Sequence, residues 1–373
     1  MDCVYLDNAA STPVKAEVLA KFNEVAEGLY GNPSSQHSAG VEAFKEVQKA
    51  KEIIGQKINC KSDEIFFTSG ATMSNNILIQ GMLRKHPETT FITSVVEHND
   101  IMELYDWLPY SKHMVSVNDC GIINIFELDK YIEECAKRGA PCLVSIQMAN
   151  SETGVIQPIQ IISRVVHSYS KSFLHMDATQ YVPYFAMDLD AMGIDALSMS
   201  GQKIGGLKGS GLLVVRQMMQ DHVAPVIFGE QGLVGGTYPT PLIASLGKAF
   251  ELLEYNNIKL LDLRNYFISK LIELGGELVG TKDNRLPNNI FIRFPGINGL
   301  TLMNVLNEYN IYVGTGSACS TDSDKPSHVA MAYGLSETEA HECVRFTLGR
   351  DTTKEQIDSV LPMLTAVLSL LGD

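Results

Sequence analysis

No stretch of apolar residues in this sequence approaches the roughly 20 needed to cross a bilayer, so a membrane protein is not expected. The first residues, Met1-Asp2-Cys3-Val4-Tyr5-Leu6-Asp7, lack the basic segment and apolar stretch of a secretory signal, and cytoplasmic residence is the expectation. No C-x-x-C pair occurs among Cys3, Cys60, Cys120, Cys135, Cys142, Cys319 and Cys343. That leaves a zinc ribbon or a thioredoxin-like motif without support, and no metal site is expected. An odd number of cysteines without an export signal reads as free thiols, most of them acting as small buried hydrophobes. Basic residues are in short supply: 29 Lys and Arg against 43 Asp and Glu leave a net charge of −14. Direct nucleic-acid binding needs a basic face and is not expected, whereas a basic partner would be attracted. Internal repeats and low-complexity segments are absent as well.

The 373 residues are 45% hydrophobic and 19% charged, an ordinary globular composition. At roughly 150 residues per domain the length predicts two to three domains. From about residue 60 to 215, short apolar runs alternate with helical patterns. Strands are predicted at Ile65–Thr68, Phe91–Val96, Cys142–Ile146, Phe173–Met176, Ala196–Met199 and Gly211–Val215. Helices are predicted from Ser69-Gly70-Ala71-Thr72 to Leu83, from Asn99 to Leu108 and from Pro158 to Tyr169. Such alternation predicts an α/β fold with a mostly parallel central sheet covered by helices. The character changes near Thr240-Pro241. One long helical pattern runs from about Leu242 to Leu274. A strand at Pro287–Phe294, a helix at Leu300–Glu308, a strand at Val344–Thr347 and a helix at Thr353–Leu371 then form a smaller α+β domain.

Several residues sit where such a fold does chemistry. Ser69-Gly70-Ala71-Thr72 joins a strand to a helix, where exposed N–H groups and the positive helix end suit a phosphate. The same residues also suit a plain helix N-cap. Asp177 follows an apolar strand and faces the crevice where α/β proteins bind ligands. There it can hold a protonated ring nitrogen, or cap the next helix. Lys203 follows another strand among small residues, placed to form a Schiff base or to be an ordinary loop lysine. Cys319 lies in Gly314-Thr315-Gly316-Ser317-Ala318-Cys319-Ser320-Thr321-Asp322, a small, polar loop that suits an exposed nucleophilic thiol. His98 can stack on a flat ring and pass protons, and Arg345 can clamp a carboxylate with its planar fork. A structural histidine and a surface ion pair are their ordinary alternatives.

Taken together and in this order, the motifs resemble the cysteine desulfurases of the NifS/IscS type, within the class V aminotransferases. The resemblance runs from Tyr5-Leu6-Asp7-Asn8-Ala9-Ala10 through Gly31-Asn32-Pro33-Ser34-Ser35 and Glu152-Thr153-Gly154 to Gly316-Ser317-Ala318-Cys319 and Arg345-Phe346-Thr347-Leu348-Gly349-Arg350. It implies a fold type I enzyme dependent on pyridoxal 5'-phosphate and working as a homodimer. The large domain would span 13–245. A small domain would span 1–12 and 246–373, with the cysteine loop at about 314–328. Lys203 would carry the cofactor, Asp177 would pair with its ring nitrogen, and His98 would stack on the ring. Gln180 would bond the phenolic oxygen, and Asn150 would lie beside ring and substrate. Ala71, Thr72 and Ser200 would hold the phosphate, joined by Thr237 reaching from the partner subunit. Arg345, with Asn150 and Asn32, would bind the substrate. The implied reaction turns L-cysteine into L-alanine, moves the sulfur to Cys319 as a persulfide and passes it to an acceptor protein for iron–sulfur clusters or tRNA thiolation.

The sequence departs from that family near the phosphate. Gln202 replaces the usual histidine, which predicts weaker cofactor retention. Ser151 replaces an asparagine, Gln231 and Val234 stand where arginines are usual, and Leu207 replaces a proline. Two other functions compete: a β-lyase or selenocysteine lyase of the same class, and a degenerate paralogue acting as a binding protein. The loop thiol argues against the first. The joint presence of Lys203, Asp177, His98, Cys319 and Arg345 argues against the second.

Overall fold

The structure, a computed structural model, describes residues 3–230, 232–316 and 325–372. The chain starts with a two-residue strand, β1 (Val4–Tyr5), followed by two helices, Ala16–Gly28 and Ser38–Ile58. Strands β2 (Ile65–Thr68), β3 (Thr90–Ser94), β4 (Lys112–Val115), β5 (Cys142–Gln147), β6 (Ser172–Asp177), β7 (Ala196–Ser200) and β8 (Gly211–Val215) then build one sheet. Their order is β2-β8-β7-β6-β5-β3-β4, and only β8 runs against the rest.

Strand geometry sends alternate side chains to opposite faces. On β5, Cys142, Val144 and Ile146 enter one core and Leu143 the other. On β8, Leu212 and Val214 enter the first, and Leu213 and Val215 the second. Helices Ser38–Ile58, Ile125–Arg138, Ile159–His167 and Thr240–Glu251 cover the first face, while Ala71–Lys85 and Asn99–Trp107 cover the second. Burial on both faces explains why these strands read as continuous apolar runs.

The rest of the chain supplies β9 (Glu277–Leu278), β10 (Asn289–Arg293), β11 (Ile311–Tyr312), β12 (Gly314–Thr315) and β13 (Cys343–Thr347). An antiparallel sheet takes the order β12-β13-β10-β9, and β1 pairs in parallel with β11. Val4 and Leu6 therefore share a core with Phe267, Ile290, Ile292, Phe346 and Leu364, far away in sequence. No helix of the described residues is long and apolar enough to cross a membrane.

The single long helix predicted over Leu242–Leu274 is two helices, Thr240–Glu251 and Ile258–Glu273. Asparagines break it. Asn256 Oδ1 accepts the Ile258 N–H (3.3 Å), and Asn257 Nδ2 donates to the Tyr184 carbonyl (2.6 Å). Such side chains offer the backbone partners other than the helical ones. Strand β4 and helix Ile125–Arg138 were not foreseen. The helix does carry signals, an Asn124 cap on the Glu127 N–H and a left-handed Gly139 at its end.

Four parallel strands end at one edge of the large sheet. Ser94, Gln147, Asp177 and Ser200 close β3, β5, β6 and β7 there. This edge, where loops replace pairing, is where open α/β sheets hold ligands.

Candidate active site

A cavity of about 200 Å³ opens above that edge. Ala71, Thr72, His98, Asp177, Gln180, Ser200, Gln202, Lys203 and Arg345 all line it.

Asp177 forms its floor. One carboxylate oxygen accepts the Thr179 N–H (2.9 Å) and the other accepts from Asn75 Nδ2 (3.0 Å). Burial pushes its pKa above the usual carboxylate value, and the charge of Asp100 adds to this. The bonds from Thr179 and Asn75 oppose it. No cationic side chain among the described residues pairs with it. Asn75 Nδ2 also donates to Asp100 Oδ2 (3.1 Å), so one amide bridges two carboxylates.

His98 follows β3 and starts helix Asn99–Trp107. Its Nδ1 lies 2.8 Å from Asp100 Oδ1, which orients the ring. Burial works against charge on Asp100. The bond and charge of His98, with bonds from Asn75 and Thr72, outweigh it and hold that carboxyl below the usual range. Beneath them Glu97, buried and bonded by the Gln147 N–H (2.8 Å), is pushed up to about 8 by burial.

Lys203 lies in the short helical turn after β7. Its Nζ donates to the Ala9 (2.6 Å) and Ala10 (2.7 Å) carbonyls, and Gln180 Nε2 also donates to Ala9 (3.0 Å). The amine is thus held by the N-terminal segment, which β1 pairs with β11 and an Asp7–Thr347 bridge joins to β13. At the helix start, the Ala71 N–H donates to Ser200 Oγ (2.8 Å). Gly211 makes this approach possible: a Cβ there would come within 2.5 Å of Gly70 Cα.

Arg345, on β13, enters from the small sheet. Its Nη2 pairs with Asp7 Oδ1 (2.8 Å), its Nη1 donates to the Ser151 carbonyl (3.0 Å), and its buried Nε has no partner. A side chain at Gly314 would press on both members of the Asp7–Arg345 pair, 2.8 Å from each.

Two expected residues, Asn150 and Asn32, do not line this cavity, and Thr237 is expected to serve a partner subunit's. Asn150 is buried, and both ends of its amide are engaged: Nδ2 donates to the Val96 carbonyl (2.9 Å), and Oδ1 accepts from the Glu152 N–H, the Thr153 N–H and Thr153 Oγ1. Gln147 and Ser151 line the wall there instead. Asn32 is exposed, with Oδ1 taking the Ser34 N–H (2.9 Å), and Thr237 is exposed too. Cys319 lies outside the described residues, as does Gln231. Residues missed from sequence include Asp100, Thr179, Gln147 and Asn75. Only the first two carried a signal, each sitting two positions after a singled-out residue.

A family model, "Aminotransferase class-V", matches residues 4–360, and the chain belongs to that family. Among its relatives is a "Cysteine desulfurase IscS" of Dictyoglomus turgidum, 37% identical over 99% of this chain and 95% of that one. A "Cysteine desulfurase, mitochondrial" of Saccharomyces cerevisiae is 35% identical over 99% of this chain and 76% of its own. Among solved structures, a "NifS-like protein" superposes with a TM-score of 0.91 at 31% identity, covering 99% of this chain and 100% of that one. "SspA in complex with cysteine" superposes at 0.82 with 32% identity, over 92% and 98%.

The cofactor of this family is pyridoxal 5'-phosphate, and the fold is its type I fold. The residues present fit it. A buried carboxylate without a cation suits a protonated ring nitrogen. Asn75 Oδ1 is buried beside Asp177 without a partner, so a polar atom remains to be met. The Ala71 helix end and Ser200 offer N–H and hydroxyl donors to a phosphate.

Proposed function

We propose that this chain is a cysteine desulfurase dependent on pyridoxal 5'-phosphate, converting L-cysteine to L-alanine and taking the sulfur onto Cys319. The observation that carries this reading is the convergence of Lys203, Asp177, His98 and Arg345 on one cavity, in a chain that aligns end to end with proteins named cysteine desulfurases. Bound at Asp177, the cofactor supplies an electron sink for charge released at the substrate Cα.

The chain's own residues do the rest. Ala71, Thr72 and Ser200 bind the phosphate, with Gln202 at the edge of that cradle. Gln180 Nε2 orients the ring from the side of Ala9. The Lys203 amine, released from the Ala9 and Ala10 carbonyls, takes the Cα proton. Arg345 turns its fork from Asp7 toward the substrate carboxylate. His98, its Nδ1 bound by Asp100, presents Nε2 for proton transfer. The Cys319 thiolate attacks the substrate sulfur. An S–S bond forms and the Cβ–S bond breaks, leaving its electron pair on the carbon skeleton, which takes one proton at Cβ and one at Cα, the latter returned by Lys203, and departs as alanine. The persulfide then passes to a sulfur-acceptor protein for iron–sulfur clusters or tRNA thiolation. A second copy of the chain would bring its Thr237 to the phosphate, and the enzyme would work in the cytoplasm.

The test is alanine release from L-cysteine, with and without dithiothreitol, in wild type and Cys319→Ala. Reductant-stimulated alanine that disappears in the variant is expected. Equal alanine from both would remove Cys319 from the reaction. Pyruvate and ammonia in place of alanine would make the enzyme a β-lyase.

A further inference from the structure

Glu152 has no part in the chemistry above, yet it connects the cavity wall to the stem of the Cys319 segment. It is buried, 7% exposed, and its main chain is fixed on both sides. Its N–H donates to Asn150 Oδ1 (2.9 Å) and its carbonyl accepts from Asn289 Nδ2 (3.0 Å). From this fixed point its Oε2 accepts the Ser327 hydroxyl (2.5 Å). Gly316 lies against the same oxygen: a Cβ there would sit 2.5 Å from Oε2 and 2.8 Å from Ser327 Cβ. One carboxylate oxygen thus bonds a residue after Cys319 and occupies the space a side chain would need at a residue before it. A second tie follows at once, because His328 Nε2 donates to the Glu97 carbonyl (2.9 Å), next to His98. On the other side of Glu152, the Ser151 carbonyl holds Arg345 Nη1 (3.0 Å).

We propose that Glu152 is a positioning residue: its carboxylate bonds Ser327 and leaves room only for glycine at 316, on the turn whose Ser151 carbonyl holds Arg345. Thiol-bearing segment and substrate anchor are then referenced to one rigid point. This rests on Cys319 as the residue that receives the sulfur. Charge assistance makes the hydroxyl–carboxylate bond strong, and burial shields it from water. Glycine at 316 is part of the device, since any side chain would displace the carboxylate.

The experiment uses the holoenzyme and three variants, Glu152→Gln, Glu152→Ala and Gly316→Ala. First-turnover sulfur transfer from L-cysteine to Cys319 is expected to fall about tenfold or more in Glu152→Ala and Gly316→Ala, with KM for L-cysteine within about threefold of wild type. Glu152→Gln keeps an acceptor for Ser327 and should recover most of the rate. Iodoacetamide alkylation of Cys319 without substrate, read by peptide mass spectrometry against the exposed Cys3 and Cys120, should change about threefold or more in Glu152→Ala. Transfer and alkylation at wild-type rates in Glu152→Ala would overturn the proposal. So would a parallel loss of rate, cysteine binding and thermal stability in both Glu152 variants, the signature of a fold defect. If wild type releases no alanine while Glu152→Ala still alters Cys319 alkylation, the desulfurase reading fails and the positioning role stands.

Discussion

Two buried polar clusters share the middle of the large sheet, and they differ in one respect. His175 and Asp177 are two positions apart on β6, on the same face. His175 is closed: Nδ1 bonds Ser145 Oγ (2.8 Å) on β5, and Nε2 bonds Ser198 Oγ (2.9 Å) on β7. Burial pushes its pKa down to about 3, so the ring is neutral and both nitrogens are matched by the protein. Asp177 is open. No described cationic side chain pairs with it, burial raises its pKa, and Asn75 Oδ1 beside it and Arg345 Nε in the same cavity lining lack partners. A buried polar group matched inside the fold holds strands together, whereas one surrounded by unmet polar atoms is waiting for a ligand.

Breaking the open cluster should abolish activity and spare the fold. The largest effect is expected for Lys203→Ala, with alanine release from L-cysteine down about 10³-fold or more. Thermal unfolding should stay near that of wild type, because the backbone carbonyls of Ala9 and Ala10 that the amine meets border the cavity, where water can replace it. Asp177→Asn comes next, at about 10²-fold, since an amide brings no negative charge to the ring nitrogen. Without cofactor, that variant should stay within about 1 kcal/mol of wild type, because the amide relieves the burial of a carboxylate but keeps only one of the two acceptor oxygens used by Thr179 and Asn75. A large loss of stability there would erase the contrast with His175.

The closed cluster should behave in reverse. His175→Ala is expected to lose about 1–3 kcal/mol of stability by leaving two buried hydroxyls without their partner, with kcat per folded molecule close to wild type. It also carries a pH signature. The folded-state pKa, about 3, lies below the ordinary 6.5, so the folded protein binds fewer protons than the unfolded chain. Stability from this group is present above pH 6.5 and is lost as pH falls toward 3, by up to about 1.4 kcal/mol per unit. Denaturant titrations from pH 7 to 4 should show that slope in wild type and a flatter one in His175→Ala.

Much of the site was legible because parallel strands end in it. An apolar run that stops at Asp177, or at Ser200 just before Lys203, marks burial giving way to chemistry, and that change is written in one dimension. The helix break at Asn256-Asn257 was not legible, because apolar periodicity continues across it while one of its anchors is the Tyr184 carbonyl in another part of the chain. Gln147 and Asn75 were missed for a similar reason. Nothing beside them in sequence distinguishes a cavity wall from any other strand end or helix face. Asn150, by contrast, was singled out, yet its own turn occupies its Oδ1 and the Val96 carbonyl takes its Nδ2.

By itself the sequence determined the alternating α/β order, the two-faced burial of the large sheet, and which residue types stand at the strand ends. Apolar periodicity and local turn chemistry encode these directly. Only the tertiary structure decided that Asp7 meets Arg345 across 338 residues, that Ala9 and Ala10 hold Lys203, and that Glu152 gathers Gly316 and Ser327. Pairings between distant groups depend on how two cores are set against each other, and no local pattern of residues records that arrangement.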